Sequence, residues 1–192
     1  LMIKGIFLFV VSFITTVNLF SQIQYSTSGS NSNNLVQNLS GPRVGLTVLT
    51  NGDLTETLSD KFGLNSNLIT QFGYQFEKQV VGDDHVVGLV EGIVFIGGLE
   101  HGLFLPSLSG LFGGRFSSGY EFAVGPNVSL YGTSFLVAFG RTINAGNLNI
   151  PITLAWAPSS RRQKDSDDGV MKEYYSTGHR FTFTVGFNFR TR

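Results

Sequence analysis

The chain has 192 residues with 13 acidic and 13 basic side chains, so its formal net charge is zero. That length suits one domain, and the charge balance argues against nucleic acid as a partner, because nucleic-acid binding depends on clustered basic charge. The absence of cysteine excludes disulfides and thiolate metal sites. Only 14% of the residues are charged, fewer than the roughly 25% of a typical water-facing domain.

The first segment has the pattern of a secretory signal peptide. Lys4 supplies a basic start, Ile6–Phe20 is largely apolar, and Ser21–Gln22 offers a small-residue cleavage point. The alternative, a membrane anchor, needs about 20 apolar residues, and this stretch is shorter. A Ser/Asn-rich stretch with the composition of a flexible leader comes next. We therefore predict three segments: a signal peptide over 1–21, a flexible leader over 22–41 and a β-barrel domain over 42–192.

From Pro42 onward, apolar and polar residues alternate with the period of two that is typical of β-strands. The last strand shows this best, because its polar or small residues alternate with a wholly apolar face formed by Phe181, Phe183, Val185, Phe187 and Phe189. The third and fourth segments alternate less cleanly, so their faces follow less directly from the pattern. In all, the pattern predicts eight strands, over 43–50, 68–80, 86–98, 104–116, 120–131, 134–143, 148–157 and 178–190.

The connections predict a single antiparallel up-and-down barrel of the all-β class. Compact turn sequences rich in Gly, Asn, Asp and Ser occupy 82–85, 117–119 and 144–147, whereas 51–67 and 158–177 are long. The first long connection is predicted to hold one short helix, because Asp53–Glu56 has the form of a capping box. The second, rich in both signs of charge, is predicted to be a solvated loop.

The direction of the apolar face separates two kinds of barrel. In a soluble, lipocalin-like barrel this face lines the interior, where it can bind an apolar ligand, whereas in a membrane barrel it contacts lipid. Charge is scarce over 86–157, and aromatic residues concentrate near the strand ends, as in interfacial girdles. Both observations favour the membrane barrel. The predicted girdle residues are Phe116, Tyr120, Phe122 and Phe189 at the short-turn end, and Phe104, Phe135, Trp156 and Phe181 at the other.

Five charged residues fall on the faces that would then point into the lumen: Arg43, Glu77, Glu91, Arg115 and Glu121. We predict that they form a charge network that fills the lumen, because a buried charge without a partner is costly. The alternative is that some of them lie near the rim and are solvated.

The apparent signal peptide, the eight strands and the last strand together resemble the small outer-membrane β-barrels of Gram-negative bacteria, over about residues 42–190. The most specific part is His179–Phe189, which is similar to the C-terminal signal read by the barrel-assembly machinery. In that family the chain usually ends at the aromatic residue, whereas here Arg190–Arg192 follow it. The resemblance implies an exported barrel in the outer membrane, with lipid and the assembly machinery as partners and the extracellular partner unknown. The alternative location is periplasmic or secreted.

No catalytic, cofactor or metal site is predicted from the sequence. Asp83–His85 could pass for metal ligands, but a polar turn is the simpler interpretation, since no further ligand is suitably spaced. His101 with Glu100 and Ser107 or Ser109 is a conceivable catalytic group, and a solvated loop is the simpler interpretation there. Three functions therefore stay open: a structural, adhesive or interaction barrel with a narrow or closed lumen, a soluble exported barrel binding an apolar ligand, and a membrane-embedded lipid-modifying enzyme.

Overall fold

A computed structural model describes residues 38–50, 52, 67–130, 132–159, 161–165, 172–176 and 178–189. The predicted signal peptide, most of the predicted leader and the predicted helix after the first strand lie outside these residues. The strands are β1 (Gly41–Leu49), β2 (Leu68–Gly82), β3 (Val86–Gly97), β4 (Leu105–Phe116), β5 (Tyr120–Ser129), β6 (Gly132–Ala145), β7 (Leu148–Ala157), β8 (Arg161–Asp165), β9 (Lys172–Ser176), β10 (Arg180–Gly186) and β11 (Asn188–Phe189).

The strands close into a barrel. Each of β1 to β6 pairs with the next strand in antiparallel fashion, and β10 pairs with both β7 and β1. Strand β11 extends the last stave beyond Phe187 by pairing with β7, so the barrel has eight staves. The predicted fold class, a single antiparallel up-and-down barrel of about eight strands, is confirmed.

The two ends of the barrel differ in their connections. Tight turns join β2 to β3, β4 to β5 and β6 to β7 at one end, which we call the short-turn end. β1 starts and β11 finishes there as well. The other end, the long-loop end, carries the connection from β1 to β2, a 3-10 turn at Leu99–His101 between β3 and β4, and the connection from β7 to β10. Gly98 (φ 80°) and Gly102 (φ 69°) flank the 3-10 turn, and both have the left-handed conformation that glycine adopts without strain.

The apolar faces of the strands point outward. Along β1, buried and exposed residues alternate strictly, and the exposed ones include Val44, Leu46 and Val48. Large apolar side chains are exposed on every stave, as Phe72, Val94, Phe112, Phe122, Phe139, Leu154 and Phe183 illustrate. The buried residues between them include Thr47, Gln75, Asn127 and Thr184. The outside of the barrel is therefore its apolar surface, while the inside is largely polar.

Two strands depart from this division, which explains their irregular sequence pattern. On β3 the inward residues Val87, Leu89 and Phe95 are buried and apolar, and on β4 so are Leu105 and Leu111. Both faces of these strands are therefore partly apolar, and alternation of polarity cannot identify the inward one.

The connection from β7 to β10 differs from the predicted loop in containing a two-stranded antiparallel ribbon. Strands β8 and β9 pair from Arg161 with Ser176 to Asp165 with Lys172. Several barrel strands also extend further than predicted, notably β6 by two residues at each end. Among the residues that the structure describes, no helix is long and apolar enough to span a membrane.

Candidate functional site

Five consecutive strands each direct one charged side chain into the lumen, nearer the short-turn end. These residues, here called the charge cluster, are Arg43 on β1, Glu77 on β2, Glu91 on β3, Arg115 on β4 and Glu121 on β5. Arg43, Glu77, Glu91 and Arg115 are each at most 6% exposed, and Glu121 is partly buried. The structure thus brings together all five residues of the predicted lumen network in the short-turn half of the lumen.

Arg115 links two of the three carboxylates. Its Nη1 donates to Oε1 of Glu77 at 2.9 Å, and its Nη2 donates to Oε2 of the same residue. Its Nε donates to Oε2 of Glu121 at 2.5 Å, from the position directly opposite Glu121 in the β4–β5 ladder. One guanidinium group therefore binds Glu77 in the bidentate manner that gives strong ion pairs and also bonds a second carboxylate.

Arg43 bonds uncharged acceptors instead. Nε donates to Oε1 of Gln75 at 3.1 Å, Nη1 to Oδ1 of Asn188 at 2.9 Å, and Nη2 to the carbonyl oxygen of Leu39 at 2.6 Å. Gly186 lies opposite Arg43 in the β1–β10 ladder, and a Cβ there would approach Nη1 to 2.3 Å. The missing side chain at position 186 provides the space that the guanidinium group occupies.

Glu91 is placed differently from the other two glutamates. It lies directly opposite Glu77 in the β2–β3 ladder, and like charges in that relation destabilise a sheet. Its Oε1 is buried and accepts no hydrogen bond from any described residue. The cluster holds three carboxylates and two guanidinium groups, so its formal charge is −1 when all are ionised.

The segment just before β1 closes the short-turn end over the cluster. Leu39 is 1% exposed; its backbone N–H donates to Oε1 of Glu77 at 3.3 Å, and its carbonyl accepts from Arg43. The hydroxyl of Ser40 accepts a hydrogen bond from the backbone N–H of Glu77 at 2.8 Å. Residues 38–40, which fall within the predicted leader, are thus attached to the lumen. Sequence reasoning missed this segment, although Leu39 is the apolar residue nearest β1 in a polar stretch.

The half of the lumen towards the long-loop end contains a cavity of mixed character. Its larger apolar lining residues include Leu49, Ile69, Phe95 and Leu105, on or beside β1 to β4. Its hydroxyl and amide groups include those of Asn127, Ser129, Thr182 and Thr184. Glu91 and Glu121 also line this cavity, which therefore reaches the charge cluster.

A polar network of different composition crosses the cavity wall. Nδ2 of Asn127 donates to Oγ of Ser109 at 2.9 Å, and Nη2 of Arg180 donates to Oδ1 of Asn127 at 3.3 Å. Arg180 also donates to the hydroxyl of Ser134. Arg180 begins β10 at the long-loop end, so it belongs to a different layer of the lumen from Arg43 and Arg115.

The conceivable catalytic group is divided between two environments. Ser109 is buried in the lumen wall, whereas His101 is exposed on the 3-10 turn, its Nε2 3.7 Å from Oε1 of Glu100. No hydrogen bond joins His101 to Ser107 or Ser109 within the part of the chain that is described. Partial burial would raise the pKa of Glu100, but hydrogen bonds from the hydroxyl and the N–H of Thr70 outweigh it and hold that pKa below its ordinary value.

Asp83 and His85 form part of the turn between β2 and β3. Oδ1 of Asp83 accepts from the backbone N–H of His85 at 2.8 Å and of Val86 at 3.0 Å. These bonds keep the pKa of Asp83 below its usual value. The carboxylate therefore serves the turn itself, which is the common use of Asp in such positions.

The predicted girdle and assembly-signal residues lie on the outer surface. All eight girdle residues are exposed, from Tyr120 at 39% to Phe189 at 81%. Phe181, Phe183 and Phe187 are exposed too, while Val185 on the same face is half-buried. Arg141 lies on this surface near the short-turn end, its guanidinium carbon 4.9 Å from the ring centroid of Tyr120.

Comparison of the chain with protein-family models, with curated protein sequences and with solved structures finds no significant match. The functional argument therefore depends on the fold and on the geometry of the lumen.

Proposed function

We propose that the protein is an outer-membrane β-barrel with a structural, adhesive or interaction role and a closed lumen. The observation that carries this proposal is the continuous apolar outer surface, with large apolar side chains exposed on every stave. In water such a surface would be strongly unfavourable and would promote aggregation. In a bilayer the same surface contacts the hydrocarbon chains of lipids, and a closed barrel leaves no unpaired strand edge there.

The dimensions and the surface chemistry support this location. The staves β1 to β7 have 9 to 15 residues, against the roughly 9–11 that a tilted strand needs to cross the hydrocarbon core. Exposed aromatic side chains ring both ends, as they do where membrane proteins meet the lipid headgroups. Arg141 beside Tyr120 suits the same zone, where a long cationic side chain can reach the headgroups.

The soluble alternative requires the opposite arrangement of side chains. A lipocalin-like barrel holds its apolar ligand against inward apolar faces and presents polar faces to water. Here Val44, Phe139 and Phe183 are exposed, while Arg43, Asn127 and Thr184 are buried. The lumen cavity has a mixed lining in which Thr47, Gln75 and Asn127 lie among apolar residues, whereas the outer surface is continuously apolar, so we favour the membrane barrel.

The closed lumen is supported by what occupies the short-turn end. The charge cluster extends across five strands. On its short-turn side, the buried Leu39 forms backbone hydrogen bonds with Glu77 and Arg43. A path for a large solute would have to break these ion pairs and displace Leu39. We therefore expect no conductance of large solutes after reconstitution in planar bilayers.

Export and insertion form part of the same proposal. The predicted signal peptide over 1–21 would direct the chain out of the cytoplasm. The last stave would contact the assembly machinery through side chains that share its outer face. These are Phe181, Phe183, Val185, Phe187 and Phe189. Lipid and the assembly machinery are the proposed partners.

A pair of matched substitutions tests the location. Phe139 lies near the middle of β6, and Phe104 lies at the long-loop end, both exposed. In a bilayer, Phe139→Arg should cost about 2–4 kcal/mol of unfolding free energy and Phe104→Arg about 0–1 kcal/mol, because charge on the lipid face is most costly at mid-depth. Urea unfolding in lipid vesicles measures both. Equal, small effects of the two changes, together with purification of the wild type without detergent, would indicate a soluble barrel.

A gel assay supplies an independent measurement. A folded membrane barrel resists unfolding by SDS until it is boiled, so we expect the unboiled protein to migrate differently from the boiled protein. Identical migration of the two samples would contradict the proposal.

A further inference from the structure

The charge cluster contains one carboxylate oxygen whose requirements the described residues do not meet. Oε1 of Glu91 is buried without a hydrogen bond, although Arg115 and Arg43 are both in the cluster. Arg115 directs its bonds to Glu77 and Glu121, and Arg43 directs its bonds to Gln75, Asn188 and Leu39. A buried ionised carboxylate without any partner is too costly to persist, so Glu91 must bind either a proton or another cation.

The spacing of the three carboxylates suits a single ion. One oxygen from each of Glu77, Glu91 and Glu121 lies within 4.8 Å of the other two. For three such oxygens there is always a point no more than about 2.8 Å from each, close to the 2.3–2.6 Å at which carboxylates bind calcium-sized ions. Small adjustments of the glutamate side chains would complete the contact.

Charge and size restrict the identity of this ion. The cluster has a formal charge of −1, so one monovalent cation makes it neutral, whereas a divalent ion would leave a buried positive charge. Oε1 of Glu91 is also closed to a water molecule in the structure. An organic ammonium is larger than a water molecule and cannot reach that oxygen, so among metal and organic cations we expect only a small bare metal ion to fit.

An approach to the glutamates exists from the long-loop side, because Glu91 and Glu121 both line the lumen cavity. A second cavity beside Leu39 reaches Arg115 from the short-turn side, but none of the three glutamates lines it. We propose that Glu77, Glu91 and Glu121 bind one small monovalent metal cation, of the size of Na⁺, which enters through the lumen cavity. This proposal requires the barrel and its charge cluster, and it does not depend on the location of the protein in a membrane.

The test compares Na⁺ with a cation too large to enter. The purified, folded full-length chain is unfolded by heat at fixed pH and ionic strength, in NaCl and in N-methylglucamine chloride. We expect Na⁺ to raise the midpoint of unfolding by about 3 °C or more, with saturation as the site fills, because an ion that binds only the folded state stabilises it. Glu91→Gln removes the excess negative charge and should abolish this difference. Glu100→Gln, the same change at an exposed loop carboxylate, should retain it.

Several outcomes would overturn the proposal. Equal midpoints in the two salts, or an undiminished Na⁺ effect in Glu91→Gln, would show that the cluster binds no Na⁺-sized ion. An unfolding midpoint that changes with pH but not with Na⁺ would show that Glu91 binds a proton instead of a metal ion. Stabilisation by Ca²⁺ alone would replace the monovalent ion with a divalent one. If Glu91→Gln does not fold, the width of the ²³Na NMR signal in the presence of the wild-type protein tests for binding, and a signal that the folded protein leaves unchanged overturns the assignment.

Discussion

The two halves of the lumen handle polarity in different ways. Towards the short-turn end, ionised side chains pack at most 6% exposed and bond one another directly, as Arg115 does with Glu77. Towards the long-loop end, hydroxyl and amide groups such as those of Ser109 and Asn127 line a cavity together with apolar side chains such as Leu105. Buried charges demand partners in fixed positions, whereas neutral polar groups tolerate a looser arrangement. The difference indicates that the short-turn half provides rigidity and closure, and that the long-loop half leaves space.

The largest expected effect comes from removing the cation at the centre of the charge cluster. Arg115→Leu leaves Glu77 and Glu121 buried without their partner and should lower the free energy of unfolding by about 3–5 kcal/mol. Urea titration followed by the fluorescence of Trp156, the one tryptophan in the sequence, measures it. The double variant Glu77→Leu/Arg115→Leu should recover part of the loss. An Arg115→Leu protein as stable as the wild type would show that the cluster contributes nothing to the fold.

A smaller effect is expected in the other half. Ser109→Ala removes the acceptor of the 2.9 Å bond from Asn127 and should cost about 1 kcal/mol, the usual value for one neutral hydrogen bond. The same urea titration gives the comparison with Arg115→Leu. Ser107→Ala is the matched control, since Ser107 lines the same cavity and the described hydrogen bonds do not involve its side chain. A loss for Ser109→Ala as large as that for Arg115→Leu would remove the distinction between the halves.

The smallest effect is expected outside the barrel wall, at the 3-10 turn. The pKa of Glu100 is lowered in the folded protein. The stabilisation that its ionised form provides is therefore present above the ordinary carboxyl pKa, and it is lost as the pH falls through the lowered pKa. Because Glu100 accepts the Thr70 N–H at 2.6 Å, we expect protection of that amide from hydrogen exchange to decline below about pH 4. Glu100→Gln should show no such pH dependence. Protection that is independent of pH in the wild type would contradict the assignment.

Sequence periodicity predicts most of the barrel because most of its staves have one apolar face and one polar face. The last stave, from Phe181 to Phe189, is the clearest example, and its faces follow from the sequence alone. Periodicity does not identify the faces of β3. Val87 and Leu89 point inward, and the outward residues of this strand are apolar as well. Periodicity also fails on β8 and β9, since the charged run from Arg161 onward carries no alternation of polarity.

The candidate site is only partly accessible from sequence. Alternation places Glu121 on an inward face, and the turn at 117–119 sets Arg115 opposite it, because a hairpin turn fixes the register of its strands. The bond from Arg115 to Glu77 joins strands that are not neighbours, so it depends on the tilt and stagger set by closure of the whole barrel, which no local pattern encodes. The bonds from Arg43 to Asn188 and Leu39 join residues far apart in sequence and could not be anticipated for the same reason.

The pairing of β1 with β10 has a consequence for biogenesis. Val44 faces Val185 across that seam, so the cylinder cannot be completed until nearly the whole chain has been synthesised. Every shorter intermediate has two unpaired strand edges and an apolar outer surface, and unpaired edges are templates for aggregation. A cell that makes this protein would need to shield the nascent chain throughout transit and release it only where the first and last staves can meet.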